Sequence, residues 1–233
     1  MDYPEGTVVA KTFLYPNDFR DLALGQRVIE TRLMVKTDGV WNVATYIWND
    51  EQTDATLSLV DVTTTVHWIS PTGESRSTAY EIPGEVACVT CHQSSEAVTL
   101  LGLTPRNLNQ DVMRGDEQLN QLDHLVKESI FQQTDAASIK TIINYEDTSH
   151  DIEARARAYL DANCSHCHHP NAWKKSARQD LDLRYDTPLA QTGIQDASDT
   201  ISKLLREGEM PLVGTTMLDE DGVKLTLDYL DTL

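Results

Sequence analysis

Two pentapeptides, Cys88-Val89-Thr90-Cys91-His92 and Cys164-Ser165-His166-Cys167-His168, hold all four cysteines of this 233-residue chain, and each reads C-x-x-C-H. Paired thiols with an imidazole directly after the second are the attachment pattern of c-type haem. The thiols form thioethers with the vinyl groups, and the histidine reaches the iron as proximal ligand. Chance placement of these residue types would give such a pentapeptide in about one of several hundred chains. Two disulfides would suit an exported protein, but they give no reason for a histidine after each pair. A four-cysteine zinc site meets another objection: 72 residues separate Cys91 from Cys164, against about 15–20 in a zinc ribbon. The expectation is two covalently bound haem c groups with iron, held through Cys88, Cys91, Cys164 and Cys167 and ligated by His92 and His168.

That chemistry sets a compartment. Thiols are kept for haem attachment on the far side of the cytoplasmic membrane, so a periplasmic, outer-surface or extracellular location is expected. Met1 to Lys11 show no charged-then-apolar signal pattern, which places the targeting segment outside this numbering. No apolar run approaches the ~20 residues of a membrane span. With 19 basic against 37 acidic side chains the formal charge is −18, which argues against nucleic acid and anionic lipid as partners and for basic redox proteins.

The elements that must position these motifs fall into two styles. Gly6–Phe13, Arg27–Val35, Trp41–Trp48, Thr56–Val62 and Thr63–Ile69 are rich in Val, Ile, Thr, Tyr and Trp and are broken by turn formers such as Thr37-Asp38-Gly39, as strands are. An antiparallel, sandwich-like β domain over 1–78 is the reading, followed by a first haem-binding region over 79–148 and a last domain over 149–233, an α+β chain. Asp151 is placed to cap a helix with Ile152, Ala156, Tyr159 and Leu160 on one face, running into Cys164. Ser198 is read as the cap of a second helix carrying Ile201, Leu204 and Leu205 and ending at Gly208. Met210-Pro211 follows, then a helix from about Asp221 with Val223, Leu227 and Leu230 aligned.

The order helix, C-x-x-C-H, helix, Met-Pro, helix resembles a small class I cytochrome c domain. The resemblance implies Met210 as the distal ligand opposite His168, with Met217 as the nearby substitute; a core methionine at a helix end is the competing reading of Met210. A neutral thioether favours ferrous iron and raises the potential above that of a bis-histidine site.

For the first haem the distal candidates are His67, Met113, His124 and His150, or no protein ligand. His67 stands between Val66 and Trp68 on a strand and is read as reaching across from the β domain. His124 falls on an expected helix over Asp116–Phe131, turned away from its apolar stripe Leu119, Leu122, Val126 and Ile130. His166 and His169 are read as exposed.

Several segments carry a wider resemblance: Ile29-Glu30-Thr31-Arg32-Leu33, Trp48-Asn49-Asp50-Glu51-Gln52-Thr53-Asp54-Ala55, Leu101-Gly102-Leu103, Asn120-Gln121-Leu122 and Arg155-Ala156-Arg157-Ala158-Tyr159-Leu160-Asp161-Ala162-Asn163-Cys164, with Gly6-Thr7 through Phe13. They resemble a family of exported two-haem c-type cytochromes whose genes are often paired with one for a parallel β-helix repeat protein. The chain departs from the family pattern at Leu212 after Met210-Pro211 and at Ala172 after His169-Pro170-Asn171. The resemblance implies haem binding and electron transfer. Two function classes follow: an electron carrier, alone or as a homo-oligomer or filament in which His67 or His124 reaches a neighbour's iron, and a two-haem peroxidase with an open face at the first iron.

Overall fold

Runs of β-branched and aromatic residues in the first third pair into an antiparallel sheet in the computed structural model, which describes residues 3–94, 97–131, 136–172, 180–211 and 218–233. Strands β1 (Val8–Pro16), β2 (Gln26–Thr37), β3 (Val40–Trp48) and β4 (Ala55–Ser58) lie in that order across it. The register aligns Lys11, Arg32, Thr45 and Ser58 in one rung, and Phe13, Glu30, Ile47 and Thr56 in the next rung of the same face. A hairpin of β5 (Val62–Ile69) and β6 (Ser75–Ile82) supplies a second layer. Its Val66, Trp68, Tyr80 and Ile82 share a core with Ile29, packed round by Phe13, Tyr15 and Ile47. The sequence reading missed β6. Its Thr78, Tyr80 and Ile82 alternate inward, but the other positions, Ala79 apart, are polar and follow a Pro-Thr-Gly turn, so hydrophobicity alone did not announce a strand. The strand expected over Thr56–Val62 ends at Ser58. Beyond it the Leu59 carbonyl accepts Glu85 N–H (3.2 Å) and the Asp61 carboxylate accepts Gly84 N–H (2.7 Å), so this stretch seats the next helix instead of extending the sheet.

That helix, α1 (Glu85–His92), packs on β3 and leads into a short hairpin of β7 (Gln93–Ser94) and β8 (Ala97–Val98). A Cβ on Gly84 would lie 2.6–2.7 Å from the Leu59–Val60 backbone, so only glycine lets α1 start this close to the strand.

The described residues gather into two units, Glu5–Thr99 with Lys203–Asp219, and Met1–Pro4 with Leu100–Ser202 and Glu220–Leu233. The first motif therefore groups with the strands, because Pro83 accepts from Thr45 of β3 and Gly84 and Glu85 are hydrogen-bonded to the β4–β5 connection. In the other unit α2 (Pro105–Leu108) precedes a hairpin of β9 (Asp111–Arg114) and β10 (Glu117–Asn120), then α3 (Gln121–Lys127). The helix expected over Asp116–Phe131 is thus shorter at both ends. Residues 117–120 pair with 111–114 around the Gly115 turn, and the Asn120 side chain accepts Asp123 N–H (3.1 Å), which starts the helix there.

The last region holds α4 (Ile152–Asn163), α5 (Ile194–Arg206) and α6 (Glu220–Leu230). Asp151 caps α4 as expected, accepting Ala154 N–H at 2.8 Å. The second helix does not begin at Ser198: it starts four residues earlier, which adds Ile194 and Ala197 to the buried face that Ile201 continues. It closes at Gly208, with Gly208 N–H to Leu205 O (3.3 Å) and Glu209 N–H to Leu204 O (3.0 Å). The core comprises Ala156, Tyr159 and Leu160 of α4, Leu181 and Leu183, and Leu225, Tyr229 and Leu230 of α6. Gly222 of α6 sits directly on the Tyr159 ring. Among the described residues no helix is long and apolar enough to cross a membrane.

Candidate functional site

The first C-x-x-C-H occupies the last turn of α1. Positions i, i+3 and i+4 fall within about 100° of arc at 100° per residue, so Cys88, Cys91 and His92 share one face. Val86, 78% exposed, is on the other. Three contacts tie His92 to Thr99, just beyond the β7–β8 hairpin. Thr99 N–H (2.6 Å) and Oγ1–H (3.0 Å) donate to the His92 carbonyl, and His92 Nδ1 lies 3.0 Å from the Thr99 carbonyl. A carbonyl only accepts, so the proton belongs on Nδ1 and the lone pair on Nε2. That is the tautomer and orientation an imidazole needs to bind a metal through Nε2, with its second nitrogen anchored to backbone. Beneath the helix the Thr45 hydroxyl donates to Pro83 O (3.0 Å). Burial pushes the Cys88 thiol up, while the Arg32 guanidinium and the Thr45 hydroxyl act the other way.

The second motif is wound differently. Helix α4 ends at Cys164, and one more turn follows: Cys167 N–H (3.1 Å) and His168 N–H (3.0 Å) both donate to Cys164 O. Cys164, Cys167 and His168 are thus held within one hydrogen-bonded turn of chain. Cys164 packs against the α4–α6 core, and burial pushes its thiol up to about 12. The segment Asp182–Thr187 runs beside this turn. Leu183 N–H donates to His168 O (2.9 Å), and Asp182 grips Arg184 through Nε (2.8 Å) and Nη2 (2.6 Å). From α4 the buried Arg157 donates to the carbonyls of Arg184, Tyr185 and Thr187 (3.1, 3.2 and 2.5 Å), and Asp161 accepts Tyr185 N–H (2.8 Å). Four backbone groups are satisfied in fixing one loop against the histidine.

The four cysteines form no disulfide. Each motif therefore presents two thiols and an imidazole within one turn of chain, a donor set and spacing that fit covalent haem.

The expected distal ligands are placed as follows. His67 is exposed on the outer face of the β5–β6 hairpin, cross-strand from Ser77, while its neighbours Val66 and Trp68 point into the core. The side chain thus leaves the sheet on the side away from that core. His124 on α3 accepts a hydrogen bond from Arg114 of β9 through Nε2. Met113 is 65% exposed. His150 lies 3.8 Å from Asp147 ahead of α4. His166 and His169 are half-buried, where exposure was expected; His169 Nδ1 accepts Asn171 N–H at 3.2 Å. Met210 is half-buried after α5, its N–H directed at Leu204 O (3.4 Å). Met217 lies outside the described residues.

Sequence reasoning did not find Thr99, Thr45, or the pair Glu30–Arg32. Thr99 acts largely through its backbone, which residue type does not reveal. The charged pair was visible as Glu30-Thr31-Arg32, whose i, i+2 spacing puts both side chains on one face of a strand. Compared with family models, curated proteins and solved structures, the chain matches none.

Proposed function

We propose that this chain is a two-haem c-type cytochrome that transfers electrons outside the cytoplasm, with thioethers at Cys88, Cys91, Cys164 and Cys167 and proximal ligands His92 and His168. The observation that carries this reading is the repeated C-x-x-C-H, using every cysteine, the first copy on one face of α1 and the second within a single hydrogen-bonded turn after α4. Haem iron supplies one-electron chemistry when bound. The protein's part is to hold the imidazole, exclude water and set nearby charge. Thr99 fixes the His92 ring, and Leu183 with the Arg157-pinned loop fixes the backbone of His168. Met210 is the distal ligand proposed for the second site; for the first, His124 would exchange its Arg114 hydrogen bond for iron, and His67, on the outer face of its hairpin, would reach the iron of a neighbouring copy. The family of exported two-haem cytochromes is the proposed kinship. The acidic surface suits basic redox partners, and assembly into a homo-oligomer or filament would carry electrons beyond one copy.

The test is expression in a host that attaches haem c, followed by intact mass and spectra of the denatured protein. Two covalently retained haems are expected, and Cys88→Ala or Cys164→Ala should each weaken attachment at one. Pigment that leaves the denatured chain into acidified organic solvent refutes the proposal. A high-spin ferric signal that shifts with peroxide would redirect it to the peroxidase class.

A further inference from the structure

The β unit contains a charged cluster that the attachment chemistry does not itself require. Glu30 on β2 is fully buried. Its carboxylate accepts Arg32 Nε (2.9 Å) and Nη2 (2.5 Å) and Tyr80 Oη–H (2.8 Å). An ion pair taken out of water gains little net stability over an apolar replacement, so the network is poorly explained as a stabilising device. Nor is it neutral. Lys11, paired with Arg32 across β1 and β2, lies 4.8 Å from the centre of the Phe13 ring, and the Arg32 guanidinium lies 4.2 Å from the same centre. Two cations share one aromatic ring with a single buried carboxylate beneath them, a local excess of one positive charge in a chain of net −18.

The position of this excess is specific. Arg32 and Thr45 are cross-strand partners on the face that α1 covers, and both the Thr45 hydroxyl and the Arg32 charge act on Cys88. The Arg32 side chain retains 24% exposure, whereas that of Glu30 has none. Glu30 engages Nε and Nη2, so the Nη1 amino group is the edge left for a second acceptor. A planar guanidinium held from behind by a buried carboxylate is preorganised for another carboxylate in front.

We propose that Arg32, oriented by Glu30 and Tyr80 and assisted by Lys11, receives a propionate of the haem attached through Cys88. This inference rests on the cytochrome reading and adds a positioning role for residues outside the attachment motif. Neutralising one propionate beside the iron favours the ferrous state, so the cluster raises the potential of the first haem relative to the same site without it.

The experiment is a redox titration of the haem-loaded protein with the variants Arg32→Gln, Arg32→Lys and Lys11→Gln, with haem per chain counted by mass. All are expected to keep two haems. Arg32→Gln should lower one of the two midpoint potentials by the equivalent of a tenfold change in the one-electron equilibrium, about 59 mV, leaving the other unmoved. Arg32→Lys should recover part of that shift, and Lys11→Gln, an exposed site, should move the same wave less. The resonance-Raman propionate bending mode should shift in Arg32→Gln. Two haems with unmoved potentials in Arg32→Gln overturn this inference alone, and if that variant does not fold, an unmoved wave in Lys11→Gln does so. A wild-type chain without covalent haem overturns the cytochrome reading first, and this one with it.

Discussion

Replacing Gly222 with alanine tests whether α4 and α6 cross as closely as the structure has them. A Cβ at position 222 would lie 2.0 Å from Tyr159 Cε2, 2.2 Å from Cζ and 2.6 Å from Oη. Ordinary carbon contacts begin near 3.5 Å, so roughly 1.5 Å must be found. The ring cannot simply swing aside, because Tyr159 is 9% exposed and meets Tyr145 edge-on at 5.1 Å between centroids. Either the helices separate, opening the core around Leu160, Leu225 and Tyr229, or Tyr159 leaves its rotamer. Overpacking of this kind costs about 1–3 kcal/mol and sometimes more. A 2.0 Å contact belongs at the upper end of that range, and alanine in a helix returns up to about 1 kcal/mol relative to glycine, so the net loss is about 2–3 kcal/mol, which lowers Tm by about 4–12 °C in a protein of this size. Thermal unfolding followed by circular dichroism measures it. Tyr159→Leu should be destabilising alone, but the double variant should lose less than the sum, since the smaller side chain removes the clash. A Gly222→Ala protein as stable as the parent, or additive losses in the double variant, would refute the close crossing.

Two further outcomes concern the β unit. The Asp18 carboxyl is held down to about 2 by hydrogen bonds from the Arg20 side chain (2.6 and 3.0 Å) and from Arg20 N–H (2.9 Å). Its folded pKa is below its unfolded one, so its contribution is complete above the ordinary carboxylate range and is lost as pH falls from about 4 towards about 2. Asp18→Asn should therefore flatten the acid limb of the stability–pH curve in that window, and an unchanged slope would contradict the assignment. Thr99→Val keeps the backbone contacts to His92 but removes the Oγ1 hydrogen bond to its carbonyl (3.0 Å). A loss of about 0.5–1.5 kcal/mol in denaturant unfolding is expected, and it should not appear if Thr99 is a bystander.

What the sequence disclosed was whatever depends on short spacing. The two C-x-x-C-H turns, the Asp151 cap, the stop at Gly208 and four of the five strands of eight or more residues follow from residues within a turn or a pleat of one another. The misreadings share a different cause. Residues 117–120 carry Leu119 at helical spacing from Leu122 and Val126, yet they pair with 111–114, because the Gly115 turn closes a hairpin before the helix can start. Ser198 is a good cap in isolation, but burial of Ile194 and Ala197 extends the helix past it. In both places a contact made elsewhere in the fold outweighed a local preference of a few tenths to one kcal/mol.

The same division explains why two pentapeptides of one pattern, C-x-x-C-H, have unlike surroundings. Cys88 lies on a helix resting on a sheet, with a guanidinium, a buried carboxylate and a threonine hydroxyl nearby, whereas Cys164 closes a helix at the edge of an apolar core of leucines and tyrosines. On the proposed reading, attachment needs only the shared C-x-x-C-H spacing, so it can be written twice with different residues between the cysteines. The energy of a charge placed at each site depends on the dielectric and the groups around it, and those come from strands and helices distant in sequence. A chain with one environment repeated would offer two equivalent stations for an electron. On the proposed cytochrome reading, two unlike environments would give the two haems different potentials, one set by groups of the sheet and the other by the helical core.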